Sequence, residues 1–510
     1  MSRSLARSSP WAAALALAAL AAPALGAGPA AVAPAPTAAS MPAATASTPP
    51  AFGAVPKWAA EFVAFALPVV ALTHVELWDG TGAPAIADAT IVVRDGRIAA
   101  LGPAASVRIP DDAVVRDLSG HSVTPGFVMV HEHLFYPLDR GSYGAMFRTF
   151  PPLYLAGGVT TLRTAGSMSP YADLNLKKDI VAGLGIGPDM DVTAPFFNGE
   201  EPFVMQVQRI GSDAQARAMV AYWASEGATS YKGYMTLKKP QLDVLIREAH
   251  KRHQKVTAHL CAVTYREAVD LGIDDLEHGF LVASDFVRDK RPDECPLGGR
   301  VEASLAALAV DAPEMRALQR HIIEHHVAIT STLTIFETFT PGRPIAPAGA
   351  LDLLIPELRA NYLARWSTLQ QPASQRPVDK AWIELFPKEM AWEHRFVEAG
   401  GLLLAGTDPT GYGGVVPGYS NVREIELLEE AGFSRAQALR IACLNGAIYL
   451  GRQADVGSLE AGKRADLVLY EGSLAQDPLA LRNIVWTMKG GVAWDRARLL
   501  AANKGKVGLE

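Results

Sequence analysis

"VTPGFVMVHEHLF", residues 123–135, is an apolar run that ends on two histidines with one glutamate between them. Side chains alternate across a β-strand, so His131 and His133 face one side while Glu132 faces the other. Both imidazoles can then reach one metal ion. We therefore expect a buried strand that ends in a metal site, with Glu132 in a structural role, paired with Arg163 of the next strand.

The same pattern, an apolar strand followed by a helical stretch, recurs along the chain after this segment. Seven further strands are predicted, at residues 159–166, 190–198, 228–235, 255–261, 274–280, 327–337 and 401–411. Eight such units in succession are typical of a (β/α)8 barrel, the TIM barrel, in which catalytic residues lie at the carboxyl ends of the strands. The sequence therefore predicts an α/β fold with a barrel over residues 123–452.

Short strands with tight turns flank the predicted barrel on both sides. Alternating apolar residues and Asp-Gly turns follow residue 67, and the same rhythm returns in the tail of the chain. The simplest packing joins residues 57–122 and 453–510 into one small β-sandwich domain.

The start of the chain has the composition of a targeting segment. Arg3 and Arg7 precede an apolar run that is too short to span a bilayer with any margin, so residues 1–26 are predicted to be a signal peptide. Residues 27–56 are rich in alanine and proline and cannot bury a core, which indicates a disordered linker. We expect a periplasmic or secreted protein without stable membrane insertion after signal cleavage.

Charge and cysteine content narrow the class of protein. The formal net charge is −6, so no basic surface indicates a nucleic-acid partner. The three cysteines include no CxxC pair; one disulfide is possible, but the chain is not a disulfide scaffold. Cys261 is interpreted as a small core residue that shares a face with His259.

Further strands end on residues that suit a metal centre. These residues are Lys232, His259, His278 and Asp408, each near the end of its own predicted strand. Neutral imidazoles and carboxylates are good ligands for zinc or a related divalent ion, whereas a lysine ammonium must first lose its proton. The convergence predicts a metal site formed with His131 and His133.

Substrate contacts are expected near the same strand ends. Tyr234 lies two residues after Lys232, so it faces the same side and either donates its hydroxyl to the substrate or simply fills the barrel mouth. Arg288 and Arg291 lie in the loop 287–300, where they either meet an anionic substrate group or are solvated. The segment 339–352 is long enough to form a lid.

Several motifs resemble the amidohydrolase superfamily of metal-dependent hydrolases. They are "LWDGTG", "VTPGFVMVHEH", "GVTTLRTAG", "GATSYKGYM", "AHL", "LEHG", "AGTD" and "GSLEAGKRADLVLYEG". The resemblance implies two divalent ions, in our interpretation Zn²⁺, bridged by a carboxylated Lys232. One ion would be held by His131, His133 and Asp408, and the other by His259 and His278. A bridging hydroxide would attack the substrate while Asp408 takes its proton.

The chain departs from the usual pattern of that family at a few positions. Met129 and Val130 stand where an aspartate often precedes the first histidine, and Thr164 stands where another aspartate is frequent. These positions are not ligands in our interpretation, but they affect the support of the site and the substrate preference. If Lys232 pointed away from the site, a single-metal enzyme would result.

The sequence therefore predicts an exported, metal-dependent enzyme that hydrolyses an amide C–N bond of a small molecule such as an N-acyl amino acid or a dipeptide. Ring opening of a cyclic amide is the alternative reaction, and a non-catalytic binding protein on the same barrel is a further alternative. A homo-oligomer is expected, because such barrels commonly form closed assemblies.

A second histidine motif, "HIIEH" at residues 321–325, matches the HxxEH pattern of some zinc proteases. It lies on a predicted helix that leads into the seventh barrel strand, away from the convergent strand ends. We expect a structural role for it, with a metalloprotease as the alternative.

Overall fold

The computed structural model describes residues 55–139, 142–199 and 207–509, which all belong to one compact unit. The predicted signal peptide, and the predicted linker up to residue 54, lie outside the described residues.

The strands are numbered in chain order. Strands β1 to β9 are Val63–Ala66, Val69–Leu77, Ile86–Arg94, Arg97–Pro103, Val114–Asp117, His121–Pro125, Phe127–Glu132, Phe135–Asp139 and Ser142–Ala145. Strands β10 to β18 are Val159–Thr164, Asp189–Asp191, Phe197–Asn198, Gln208–Arg209, Ser230–Gly233, Lys255–Ala258, Asp275–Glu277, Ala328–Ser331 and Leu403–Ala405. Strands β19 to β21 are Leu467–Glu471, Ile484–Lys489 and Val492–Asp495.

The α-helices are numbered in the same way. Helices α1 to α8 are Phe150–Ala156, Pro170–Val181, Asp213–Glu226, Lys239–His250, Tyr265–Asp270, Arg300–Ala306, Pro313–Glu324 and Leu333–Phe339. Helices α9 to α15 are Ala348–Leu353, Pro356–Leu369, Pro377–Glu398, Ser420–Glu430, Arg435–Arg440, Gly446–Leu450 and Arg496–Asn503.

The central strands pair in parallel, in the order expected for a (β/α)8 barrel. Strand β7 pairs with β10 and β10 with β11, and a second run continues from β12 through β14, β15, β16 and β17 to β18. The third predicted strand, 190–198, is divided into β11 and β12, and the amide of Ala194 between them donates to Ser230 O of β14. These strands are almost entirely buried, as parallel strands covered by helices on the outside must be.

Backbone hydrogen bonds also join the last strand of this series to the first. The amides of Thr407 and Asp408, just after β18, donate to His131 O of β7 at 3.1 and 3.2 Å. The carboxyl ends of the first and last strands are therefore adjacent, which brings residues 275 positions apart in the chain into contact.

The opening segment 123–135 is divided between two sheets. Residues up to Pro125 belong to β6, and β7 begins only at Phe127. Gly126 lies at the change of sheet, where an added Cβ would come within 2.3 Å of Thr160 Oγ1. The close approach of β10 therefore requires glycine at this position.

Strands from both ends of the chain form the other sheet. Its nine strands run β1-β21-β20-β19-β6-β2-β3-β4, with β5 also paired to β2. Because β2 pairs with β5 through its first half and with β6 through Glu76 and Leu77, hydrogen bonding makes one continuous sheet instead of the two sheets of the predicted sandwich. Buried residues of both chain ends, including Leu72, Ile91 and Leu467, share one apolar core.

Helix α3 illustrates how the local sequence sets the ends of a helix. Helix α3 begins where Ser212 Oγ accepts a hydrogen bond from the amide of Gln215, and it ends at Gly227 in the left-handed conformation. The segment between β17 and β18 contains the four helices α8 to α11, of which α8 lies nearest the strand ends. No helix in the described ranges has the length and apolarity needed to cross a bilayer.

Candidate metal centre

His131 and His133 lie at the carboxyl end of β7, and both side chains are buried. Asp408 faces them from the end of β18. Its Oδ1 lies 3.1 Å from His133 Nε2 and 3.8 Å from His131 Nε2. The possible ligand atoms of these three residues lie within 4.8 Å of one another, so together they can hold one cation.

The backbone around Asp408 is shaped to bring its carboxylate to the two histidines. Asp408 itself has φ 50°, a left-handed conformation that non-glycine residues rarely adopt and that often marks a functional site. Two residues earlier, a Cβ on Gly406 would come within 2.3 Å of the Cβ of His131. Only glycine allows β18 to approach β7 so closely.

The other side chains predicted from the sequence lie beside this group. The ring of His278 is 4.6 Å from that of His131, and the ring of His259 is 4.5 Å from that of His278, measured between centroids. Lys232, buried in β14, places its Nζ 5.3 Å from the centre of the Phe196 ring. The structure thus brings all six predicted side chains to the lining of one cavity.

His278 follows β16 with φ 72°, again in the left-handed region. Its Nδ1 lies 3.0 Å from Thr332 Oγ1. A histidine that bonds through one ring nitrogen presents the other in a fixed direction, so Thr332 orients the His278 ring for binding through Nε2. His278 also forms, with His131 and Glu277, a second group of possible ligand atoms within 4.8 Å of one another.

Glu277 is the functional candidate that sequence reasoning missed. Strict alternation would turn Glu277 away from a site that contains His278. The left-handed conformation of His278 breaks this alternation, so Glu277 and His278 both place a possible ligand atom close to His131. Glu277 is fully buried, forms an ion pair with Lys232 Nζ, and lies 3.4 Å from His131 Nδ1. The available signal was a pair of acidic residues, Asp275 and Glu277, in a short strand that precedes a candidate ligand.

The predicted pairing of Arg163 with Glu132 is wrong. Arg163 is buried inside the ring of strands, where its guanidinium lies 3.3 Å from Glu277 Oε1 and donates to Thr257 Oγ1 and Val130 O. Its side chain crosses the interior of the ring, whereas Glu132 points outward.

Glu132 holds β7 to neighbouring elements. Its carboxyl group accepts a hydrogen bond from Thr407 Oγ1 at 2.6 Å and one from Asn421 Nδ2 at 3.3 Å. Burial raises the pKa of Glu132 to about 8. The structure therefore gives Glu132 contacts that position the residues next to Asp408, and no contact with the cavity.

The electrostatics of the site favour neutral imidazoles and an ionised carboxylate. Burial lowers the pKa of His131 and His259 well below the usual value, and it lowers that of His278 to about 4. Burial alone would raise the pKa of Asp408, but its hydrogen bond with His133 and the positive charges nearby bring it well below its usual range. These are the protonation states in which such groups bind metal ions.

Unpartnered polar atoms provide a test of whether a cation fits here. Within the described residues, both ring nitrogens of His131 and Nδ1 of His133 are buried without a hydrogen-bond partner. Buried polar atoms are seldom left unpaired in native proteins, because the lost hydration is costly. Coordination of a cation by these atoms would satisfy them, so the residues fit a metal centre.

A set of buried glutamates lies behind the strand ends. Glu424 of α12 accepts hydrogen bonds from Ser331 Oγ and from the amides of Leu333 and Thr334. Thr334 Oγ1 in turn donates to Thr407 O. Glu424 thus connects the turn after β17, which carries Thr332, to the turn that carries Asp408.

Two further buried glutamates, both on α11, support the turn that carries His278. Glu389 accepts a hydrogen bond from the amide of Phe280 at 2.8 Å, and Glu393 accepts one from Ser331 Oγ at 2.9 Å. A Cβ on Gly279 would overlap Glu389 Oε1, so the turn packs directly on this carboxyl group. None of these glutamates was identified from the sequence, because each lies far along the chain from the strand ends it contacts.

The cavity above the candidate ligands has a volume of about 210 Å³. Tyr234 lines it, as predicted, with its ring centroid 5.1 Å from that of His259. Burial raises the pKa of the Tyr234 phenol, so its hydroxyl keeps its proton. Tyr143, in the β8–β9 hairpin, also lines the cavity and was not identified from the sequence.

The two arginines of the loop 287–300 do not line this cavity. Arg288 is exposed, and Arg291 is 78% exposed with Glu294 as its partner. The same loop contains Cys295, which forms a disulfide with Cys261. Cys261 is a buried core residue, as predicted, and its disulfide also ties the segment after His259 to the loop.

The "HIIEH" histidines lie at the surface, on and just after α7. His321 Nε2 lies 2.8 Å from Asp270 Oδ1, and His325 Nδ1 lies 2.8 Å from His321 O. Neither histidine lines the cavity. The structure therefore keeps this motif apart from the convergent strand ends.

Several known proteins are similar to this chain in sequence. The sequence profile described as "Amidohydrolase family" matches residues 388–493. Imidazolonepropionase of Symbiobacterium thermophilum is 24% identical over 402 residues, which cover 76% of this chain and 84% of that enzyme.

Two solved structures illustrate the shared fold. A Xaa-Pro dipeptidase with bound methionine in its active site is 16% identical, with a TM-score of 0.62 over 84% of this chain and 100% of the other. The ochratoxinase of A. niger is 17% identical, with a TM-score of 0.59 over 83% of this chain and 95% of the other. The chain is therefore similar in sequence to the amidohydrolase family over residues 388–493 and to an imidazolonepropionase over most of its length, and it shares its fold with these two hydrolases.

Proposed function

We propose that this protein is a metal-dependent amidohydrolase that cleaves an amide C–N bond of a small molecule such as an N-acyl amino acid or a dipeptide. The observation that carries the proposal is the meeting of His131, His133, His278 and Asp408, from three separate strand ends, around one cavity. Their unpartnered buried atoms and neutral imidazoles suit a cation better than any other occupant.

Two divalent cations, Zn²⁺ in this proposal, would be held by the six predicted residues. His131, His133 and Asp408 would bind one of them, and His259 and His278 the other. Lys232, which lines the same cavity and pairs with Glu277, is proposed to be carboxylated, and Glu277 offers a second carboxylate beside it. When bound, such cations lower the pKa of water toward about 7 and polarise the scissile carbonyl.

Side chains of the protein transfer the proton and orient the substrate. Asp408, ionised and at the cavity wall, accepts a proton from the attacking water and passes it to the leaving nitrogen. The Tyr234 hydroxyl, which keeps its proton, donates a hydrogen bond to the substrate carbonyl. The apolar walls exclude bulk water, which strengthens each of these interactions.

A second candidate reaction is the opening of a cyclic amide. The alignment with an imidazolonepropionase, which covers most of both chains, favours it. The fold shared with a Xaa-Pro dipeptidase and an ochratoxinase gives comparable support to linear substrates. A non-catalytic binding protein is the weakest alternative, because no predicted ligand is missing from the site.

The cellular setting is part of the proposal. We propose that residues 1–26 direct export to the periplasm or the medium, and that the mature protein forms a homo-oligomer. Fractionation of cells that express the full chain tests the first statement, and light scattering of the purified protein tests the second.

The test of the proposed function compares metal-loaded protein with protein treated with a chelator. The substrates are N-acyl amino acids, Xaa-Pro dipeptides and lactams, and bound metal is measured by mass spectrometry. We expect turnover of at least one group only in the loaded protein. His133→Ala should lose both metal and turnover, whereas His321→Ala removes a surface histidine and should retain both.

If the metal-loaded protein hydrolyses none of these amides, the proposed function is wrong. Loss of bound zinc in His321→Ala, with retention in His133→Ala, would instead support the metalloprotease alternative.

A further inference from the structure

We infer that Asp270, His321 and His325 form a second metal site, at the protein surface, which binds Zn²⁺ or a similar transition-metal ion between helices α5 and α7. The possible ligand atoms of these three side chains lie within 4.8 Å of one another. The three residues do not line the cavity of the candidate metal centre. The inference therefore does not depend on the proposed amide hydrolysis.

Two histidines at the carboxyl end of α7 provide the nitrogen ligands. His321 and His325 lie one helical turn apart, so their side chains extend to the same side of the helix, with ring centroids 4.3 Å apart. His325 Nδ1 lies 2.8 Å from His321 O, and because a carbonyl oxygen can only accept, this nitrogen carries the proton. The hydrogen bond orients the ring and leaves Nε2 of the neutral imidazole for a cation, as in many metal-binding histidines.

Asp270, the last residue of α5, provides the oxygen ligand. Its Oδ1 lies 2.8 Å from His321 Nε2. In the described part of the chain Asp270 forms no salt bridge with a lysine or an arginine, so its negative charge is available to a metal ion. When an ion binds between these two atoms it replaces the proton on His321 Nε2, and that proton passes to the solvent.

The spacing of the three groups fits a zinc ion. Zinc binds histidine nitrogens and carboxylate oxygens at about 2.0–2.1 Å in tetrahedral geometry, which places neighbouring ligand atoms about 3.3 Å apart. The distances here, from 2.8 Å to at most 4.8 Å, span this value. The carboxyl end of a helix also carries a partial negative charge that favours a cation. Magnesium and calcium prefer oxygen ligands and fit a pair of imidazoles poorly.

Binding at this site should be weaker than at the buried centre. Among the described residues three side chains form the group, so water fills the remaining position of a tetrahedral ion. Asp270 is 53% exposed and His325 is exposed, so the ion exchanges readily with the solvent. We expect it to be lost on desalting. Metal that survives desalting then belongs to the cavity, and His321→Ala remains a valid control for the buried centre.

The experiment measures zinc uptake by isothermal titration calorimetry, with protein that has been loaded with zinc and then desalted. We expect the wild type to take up one further equivalent of Zn²⁺, and Mg²⁺ at the same concentration to leave this uptake unchanged. Loss of a group that merely supports a ligand typically weakens metal binding about 10–100-fold. Removal of a ligand in His321→Ala, His325→Ala or Asp270→Asn should therefore weaken the surface site at least about tenfold.

His250→Ala is the matched control. His250 lies in the last turn of α4, and its Nε2 is 2.9 Å from Asp274 Oδ2, so it forms the same kind of surface pair. Within the described residues it belongs to no group of three possible ligands, and zinc uptake should stay as in the wild type. Retention of the tag-free protein on immobilised Ni²⁺ gives a second readout, because a fixed ion reaches surface histidines alone. The wild type and His250→Ala should be retained more strongly than His321→Ala.

Each result decides the inference. Absence of further zinc uptake by the wild type would overturn it. Uptake that persists unchanged in His321→Ala and His325→Ala would place the ion elsewhere and overturn it as well; His325 is exposed, so His325→Ala is expected to fold. A loss in His250→Ala equal to that in His321→Ala would indicate unspecific binding by surface histidines, with the same consequence. Both readouts are independent of turnover, so failure of the proposed hydrolysis would leave them unaffected.

Discussion

Replacing Glu277 by glutamine should strongly destabilise the metal-free protein with uncarboxylated Lys232, because Glu277 then neutralises two buried cations. Lys232 pairs with Oε2 of Glu277 and Arg163 lies 3.3 Å from Oε1; both cationic side chains are 1% exposed. At an effective dielectric constant of about 20, two charges at that separation attract by about 5 kcal/mol. Removing one partner of a buried pair typically costs about 3–5 kcal/mol, and we expect a loss in that range.

The assay is urea denaturation of chelator-treated protein at pH 6, followed by tryptophan fluorescence. Asp275→Asn is the matched control, since Asp275 is buried on the same strand but accepts a hydrogen bond from Thr330 Oγ1 and has no ion pair in the described structure. Burial raises the pKa of Asp275 to about 7, so at pH 6 the control replaces a mostly neutral group. Its cost should be near 1 kcal/mol.

The pH dependence gives a second readout. Burial alone would raise the pKa of Glu277, but the positive charges of Lys232 and Arg163 bring it below its usual range. The stability that Glu277 supplies is therefore present above its unfolded-state pKa and is lost as pH falls through its lower folded-state pKa. The difference between wild type and Glu277→Gln should shrink in acid. A loss at pH 6 no larger than that of Asp275→Asn would refute the counter-ion role.

Three further predictions concern the same region. Lys232→Ala should abolish activity and remove most bound metal. Full activity in the variant would indicate that the site holds only one ion. Gly406→Ala should displace His131, because the added Cβ would come within 2.3 Å of the histidine Cβ, and metal content should fall although the substitution is small. Burial raises the pKa of Glu424 from 4.5 to about 7, so the folded state holds a proton that the unfolded chain releases from about pH 4.5. The free energy of unfolding should fall by roughly 3 kcal/mol as pH rises through that window, and Glu424→Gln should flatten the slope; an unchanged slope would contradict this.

The residues at the strand ends show which parts of the site can be predicted from sequence patterns. Period-two alternation is a property of the extended backbone itself, so the placement of His131 and His133 on one face follows from "VHEH" alone. The repeated strand–helix pattern then places Lys232, His278 and Asp408 at the same end of three strands of one parallel series. The structure brings these side chains together, while their chemical roles stay predictions.

Residues that break the local pattern could not be found in that way. Glu277 lies close to the ligand atoms of both His131 and His278 because His278 adopts φ 72°, and no periodicity indicates a left-handed residue at a histidine. The pairing of Cys261 with Cys295 likewise depends on where the loop folds back, 34 residues away. The prediction of a sandwich of two sheets failed for a related reason. Strand β2 is long enough to pair with both β5 and β6, and this pairing joins the strands into one sheet.

By itself the sequence determined what short-range backbone geometry controls: the strand–helix succession and the face on which each candidate ligand lies. Only the tertiary structure decided which buried charged groups are in contact. Arg163 pairs with Glu277 and not with Glu132. Glu424 and Glu389 accept hydrogen bonds from turns about 90 and 109 residues away in the chain. Such choices depend on desolvation and packing among residues distant in the chain, which no local pattern encodes.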